Sequence, residues 1–184
     1  MTTLLAPLLA PYATLPTEGG GAFDLFMGLP VHPLIVHVAV VVLPVAALAL
    51  IIVMALPRVH VLLRWGVVAA LAVGSLAAWI AAESGESLSE RVGEPEVHEE
   101  LGENLPLVAG ITLALAVVWA VVSELSARAS RVATTTGAMP SRAWLPLRIT
   151  ISVLAAGMAV YAIYYTVLVG HSGAVATWLG RVGG

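Results

Sequence analysis

Polar and apolar positions fall into four long apolar runs separated by short polar links. Each run is near the ~20 residues that a helix needs to cross a bilayer. They extend from Pro33 to about Leu56, Val61 to Ala82, Leu105 to Val122, and Trp144 to Gly170. With their flanks they predict helices over about 33–56, 61–91, 95–127 and 144–170. His32 suits an N-cap with Pro33 as the first helical residue, where a missing N–H costs nothing, and Pro57 ends that helix. Glu94 and Pro95 repeat the pairing before the third helix, which then enters the membrane near Leu105. In the second helix Gly74 and Ala78 form a small-xxx-small pair suited to close helix approach. On the fourth, Thr150, Leu154, Gly157, Tyr161, Tyr164, Leu168 and His171 recur at 4-3 spacing. That is the pattern of a packed seam, and it predicts Tyr161 and Tyr164 facing inward on the side of His171.

Short links favour up-down-up-down packing. The fold class is therefore all-α, a four-helix transmembrane bundle. Residues 1–28 are punctuated by Pro and Gly and form a separate interfacial or flexible segment, without the basic start and long apolar core of a secretory signal. Residues 29–184 form the membrane domain.

Composition agrees, because 60% hydrophobic and 10% charged residues over 184 positions lie far from a soluble domain. Without cysteine there is no disulfide, thiolate metal site or iron–sulfur ligation. No basic tract points to nucleic acid.

Charge placement adds an orientation. The links after the first and third helices, with their flanks, hold Arg58, Arg64, Arg128, Arg131, Arg142 and Arg148, six of the eight arginines. The other side holds ten of the eleven acids, among them Glu83, Glu86, Glu90, Glu94, Glu96, Glu99, Glu100 and Glu103. The positive-inside rule then puts both termini on the extracytoplasmic side of a multi-pass protein of the inner (cytoplasmic) membrane. Trp65, Trp119 and Trp144 fall towards the cytoplasmic edge, and Trp79 and Trp178 towards the other, as an aromatic belt.

Folding that topology onto the five histidines gathers four of them. His32 and His37 open the first helix, His98 lies in the first turn of the third, and His171 follows the fourth. All four meet at the outer rim, and only His60 lies on the cytoplasmic side. His32 and His37 are five residues apart, about 140° around a helix, so one centre cannot take both. With His32 as the cap, His37 faces the core and pairs with His98 or His171.

Three chemistries suit such a rim. Two neutral imidazoles ligate haem, and a chain without cysteine leaves b-type haem, with His37, His98, His171 and His32 as ligand candidates and Tyr161 and Tyr164 beside them. A divalent metal suits His37, His98, Glu99 and His171. Imidazoles beside the acidic stripe of Glu83, Glu86 and Glu90 also suit proton handling. Against these stands a cofactor-free reading in which the histidines cap and bridge helix ends and the acids form a solvated face.

Three segments resemble one family. LPVHPLIVHVAVVVLP, residues 29–44, resembles the L-P-x-H-P-x-x-V-H-F-P signature of a bacterial four-helix membrane family, domain of unknown function 2231, with Val38 and Ala39 in place of Phe-Pro. ESGESLSERVGEPEVHEELGENL resembles its T-G-E and His-Glu stretch, with Ser84 for Thr, and GHSGA resembles its G-H-x-G-G, with Ala174 for the last Gly. The resemblance spans about residues 29–178 and implies a membrane protein with histidines towards one face. Fusions of relatives to Rieske-type redox domains imply electron transfer or haem association. The matched positions are His32, His37, Gly85, Glu86, His98, Glu99, Gly170 and His171.

The function expected is a b-type haem-binding electron-transfer subunit, partnered by the bilayer and by a redox protein or membrane complex. Non-haem metal or cation binding, or a cofactor-free structural or assembly role, are the alternatives. Enzymatic chemistry lacks support, since no nucleophile adjoins a base and no phosphate-binding loop occurs. Transport also lacks support, because prolines other than Pro44 lie at helix ends and no charge lies at mid-membrane.

Overall fold

The computed structural model describes residues 25–26, 29–92, 96–137, 139 and 143–182. The expected N-terminal segment lies outside these residues, except for β1 (Leu25–Phe26), which pairs antiparallel with β2 (Leu29–Pro30). Four helices follow: α1 (Val31–Ala55), α2 (Pro57–Val92), α3 (Glu96–Thr135) and α4 (Trp144–Val182). All four are long and apolar enough to cross a membrane.

The boundaries differ from expectation where hydropathy is a poor guide. Pro57 opens α2 instead of closing α1, and the single residue Leu56 joins them in extended conformation. At its far end α3 continues past its apolar run to Thr135. Hydroxyls of Ser130, Thr134 and Thr135 each donate to the carbonyl four residues back, so these polar side chains find their partners within the helix. Gly137, at φ +73°, then ends the run in a conformation that favours glycine. Pro106 lies inside α3, ten residues from its start, so Pro44 is not alone as an interior proline.

Cross-helix pairs give the packing. Leu43 meets Gly74, Ser75 Oγ donates to the Ala109 carbonyl, and His98 meets Ser172, so successive helices run antiparallel. α1 packs on α2 and α4, and α3 packs on α2 and α4, which leaves α1 and α3 facing across a diagonal.

Small residues, alanine above all, make up most of the buried seam, with Leu43, Leu50 and Leu71 filling between them. It comprises Ala39, Leu43, Ala46, Ala47 and Leu50 on α1, Leu71, Ala78 and Ala81 on α2, Ala109, Thr112, Ala116 and Ala120 on α3, and Ala155, Ala159 and Ala162 on α4. Gly74 acts as the small-xxx-small reading expects: a Cβ there would lie 3.0 Å from Leu43 Cα. Large apolar side chains such as Val41, Leu62, Leu107 and Val153 point outward. In a bilayer, lipid is as apolar as the core, so close backbone approach decides what goes inside.

The opposite, arginine-bearing end is closed by charge. Arg64, only 5% exposed, pairs through Nη2 with Glu124, which also accepts from Arg128 at 2.7 Å and lies 3.6 Å from Arg131. Nε and Nη1 of Arg64 are buried without a hydrogen-bond partner among the described residues. Arg64 is thus a core residue of this end and not part of a solvated link. Trp119 is likewise buried instead of joining a belt.

Candidate functional site

At its acidic end the bundle opens into a cavity of about 930 Å³ lined by all four helices. Its deeper wall is apolar, with Val36, Ala39, Val40, Ala78 and Leu105, and His32, His37, His98, Glu83, Glu86, Glu99 and Glu103 line the rest. The volume is at the upper end of the roughly 300–1,000 Å³ of ligand pockets. Pro44 and Pro106 offer no N–H to the carbonyls of Val40 and Gly102, and both of those residues line the cavity.

His32 is not the cap. α1 begins at Val31, with Pro30 at the cap position and no side-chain cap hydrogen bond. From the second helical position His32 instead reaches α2, with Nδ1 2.8 Å from the Ala81 carbonyl. A carbonyl only accepts, so Nδ1 carries a hydrogen, and in the neutral imidazole Nε2 then keeps its lone pair. His98 is held in the same sense from α4. Its Nδ1 lies 2.9 Å from Ser172 Oγ, whose own hydrogen goes to the Val169 carbonyl at 2.9 Å. The hydroxyl therefore accepts from Nδ1–H, and Nε2 is again the bare nitrogen. Neither Nε2 makes a hydrogen bond within the described residues.

The two rings face across the α1–α3 diagonal, with centroids 6.4 Å apart and planes at 79°. Each is seated on a glycine. A Cβ on Gly85 would lie 3.0 Å from His32 Cε1, and one on Gly173 would lie 2.9 Å from His98 Cε1.

The remaining expected residues divide. His37 is exposed, and its Nδ1 donates to the Pro33 carbonyl of its own helix at 2.5 Å; it lines the cavity without facing the core. The roles read from spacing are thus exchanged, because α1 starts two residues earlier, at Val31, and His32 reaches across to α2. Glu99 lines the cavity beside His98. His171 is exposed and outside the lining, because Gly170 and Gly173, not His171, turn that way. Tyr161 and Tyr164 are 46% and 58% exposed, so the expected seam faces outward, and α4 instead buries Ala155, Ala159, Ala162 and Tyr165. Among the described residues no three of His, Asp or Glu come together to hold a metal ion. The set His37, His98, Glu99 and His171 is therefore not a chelating group here. The side chains of Glu90 and His60 lie outside the described residues.

Sequence reasoning named Gly85 only as a motif position, without its seating role, and missed Ser172, Gly173 and the Arg64–Glu124 pair. Two of these had a signal in Gly-His-Ser-Gly, residues 170–173, where attention to the histidine hid the serine and glycine that hold His98. Comparison with family models, with curated proteins and with solved structures matches nothing.

Proposed function

We propose that the chain is a multi-pass membrane protein that holds b-type haem in the cavity at its acidic end and serves as an electron-transfer subunit. The observation that carries this reading is a pair of fixed imidazoles in a large, mainly apolar cavity with no third ligand among the described residues. A bare ion with two protein ligands falls short of its usual coordination. Haem brings its own ring nitrogens, requires only axial ligands from the chain, and needs no cysteine when bound non-covalently. When bound, it supplies one-electron exchange. The chain's part is to orient the imidazoles through Ala81 and Ser172 and to keep water from the deeper wall with Val36, Ala39 and Leu105. The arginine bias supports placing the cavity on the extracytoplasmic side of the cytoplasmic membrane, and the three resembling motifs support the redox reading.

An optical spectrum of the purified protein tests it. A Soret band that shifts on reduction is expected, and no Soret band after haem supplementation overturns the reading. A second reading, a cation site, draws on one observation: the charged side chains lining the cavity, Glu83, Glu86, Glu99 and Glu103, are all acidic. Stoichiometric metal in elemental analysis, without a Soret band, selects it.

A further inference from the structure

We infer that His32 and His98 form one ligating pair for a single imidazole-seeking Lewis-acid centre, either haem iron or a late-transition-metal ion that completes its coordination with water. The inference deepens the proposed function and rests on it only for the haem arm. It separates two histidines from the four that the rim contains, and it includes the one that sequence reading assigned to capping.

The first support is the protonation pattern. A ligating imidazole needs a bare nitrogen, and its other N–H is normally held by a carbonyl, carboxylate or water that fixes the tautomer. His32 and His98 both show this: Nδ1–H is held by Ala81 O in one case and by Ser172 Oγ in the other, and Nε2 has no hydrogen-bond partner among the described residues. The Ser172 hydroxyl is itself committed to Val169, so it cannot turn and donate to His98.

The second support is separation. A centre bonded to two imidazoles needs the two nitrogens roughly 3.3–4 Å apart, from a tetrahedral angle to opposite faces, given bonds of about 2.0–2.1 Å. Ring centroids 6.4 Å apart are compatible with that spacing. The third is seating. Gly85 and Gly173 let backbone come against the rings more closely than a Cβ ordinarily allows, so each ring has helix behind it and the cavity before it. The alternatives lack these features: His37 is anchored only within its own helix, and His171 does not line the cavity.

A purely structural role predicts something different. If the imidazoles only tie helices together, Nδ1 does all the work and Nε2 stays idle. Titrations of the full chain in detergent, with haemin in one arm and Zn²⁺ in the other, distinguish the two. Wild type is expected to bind in at least one arm. His32→Gln and His98→Gln are each expected to lose more than the roughly 10–100-fold that outer partners of a ligand cost. His37→Gln and His171→Gln are expected to keep wild-type affinity. His98→Gly with added imidazole is expected to regain the bound spectrum, which separates ligand loss from misfolding.

Binding of Zn²⁺ that depends on both residues, with no haemin binding, sustains the pair and removes haem from the proposed function. Binding that depends on His37 or His171 instead, or no dependence on His32 and His98 in either arm, overturns the inference.

Discussion

Gly173→Ala puts the seating of His98 to a quantitative test. The added methyl would lie 2.9 Å from Cε1, 3.2 Å from Nε2 and 3.3 Å from Nδ1 of the ring. Carbon contacts settle at about 3.5–4.0 Å, so the ring has to withdraw by roughly 0.6–1 Å. Its bond to Ser172 is 2.9 Å long and does not survive a movement of that size along its length.

Two effects on stability then oppose each other. A lost hydrogen bond costs about 0.5–1.5 kcal/mol, and alanine for glycine inside a helix returns about 0.8–1.0 kcal/mol. Fold stability is therefore expected within about 1 kcal/mol of wild type. Binding has no such compensation. Without its outer partner the imidazole is expected to hold the centre about 10–100-fold more weakly. Thermal melting followed by circular dichroism reads the first quantity, and haemin or Zn²⁺ titration reads the second. Gly110→Ala, where a Cβ meets nothing within 4 Å, is the control and is expected to leave binding unchanged. Wild-type affinity in Gly173→Ala would refute the seating argument, and so would equal loss in the control.

Three further outcomes follow from the same packing. Ser172→Ala removes the acceptor for His98 without adding bulk, and titration is expected to show about tenfold weaker binding at nearly unchanged melting temperature. Gly74→Ala meets the Leu43 backbone, which cannot rotate away, so overpacking of about 1–3 kcal/mol is expected; an unchanged melting temperature contradicts the close α1–α2 approach. Glu124→Gln leaves Arg64 buried without its counter-charge, with an expected loss of about 3 kcal/mol, whereas Arg64→Met with Glu124→Leu is expected to recover most of it in the same melts.

How far the sequence could be read depended on what lipid hides. Four helices are legible because a bilayer demands long apolar runs, and runs such as Val61–Ala82 have few other uses. Their inward faces were not legible by polarity. Tyr161, Tyr164 and Gly157 looked like a seam, yet the true seam is Ala155, Ala159 and Ala162, sorted by size. The histidine rim was legible as a region, since chain topology brings His32, His37 and His98 to one cavity. Which imidazole crosses it turned on two residues of helix start, Val31 instead of Pro33, and a cap rule is too coarse for that. Arg64 and Glu124 are 60 residues apart, and counting charges along the chain does not pair them.

The central claim is that His32 and His98 are set, before any ligand arrives, with Nδ1 protonated and Nε2 bare. Nitrogen NMR of the imidazoles in ligand-free protein, followed over pH to the neutral rings, with each resonance assigned by loss in His32→Gln or His98→Gln, tests it directly. In the neutral rings a pyrrole-type Nδ1 and a pyridine-type Nε2 are expected for both. The opposite tautomer, with the proton on Nε2 of either neutral ring, would contradict it.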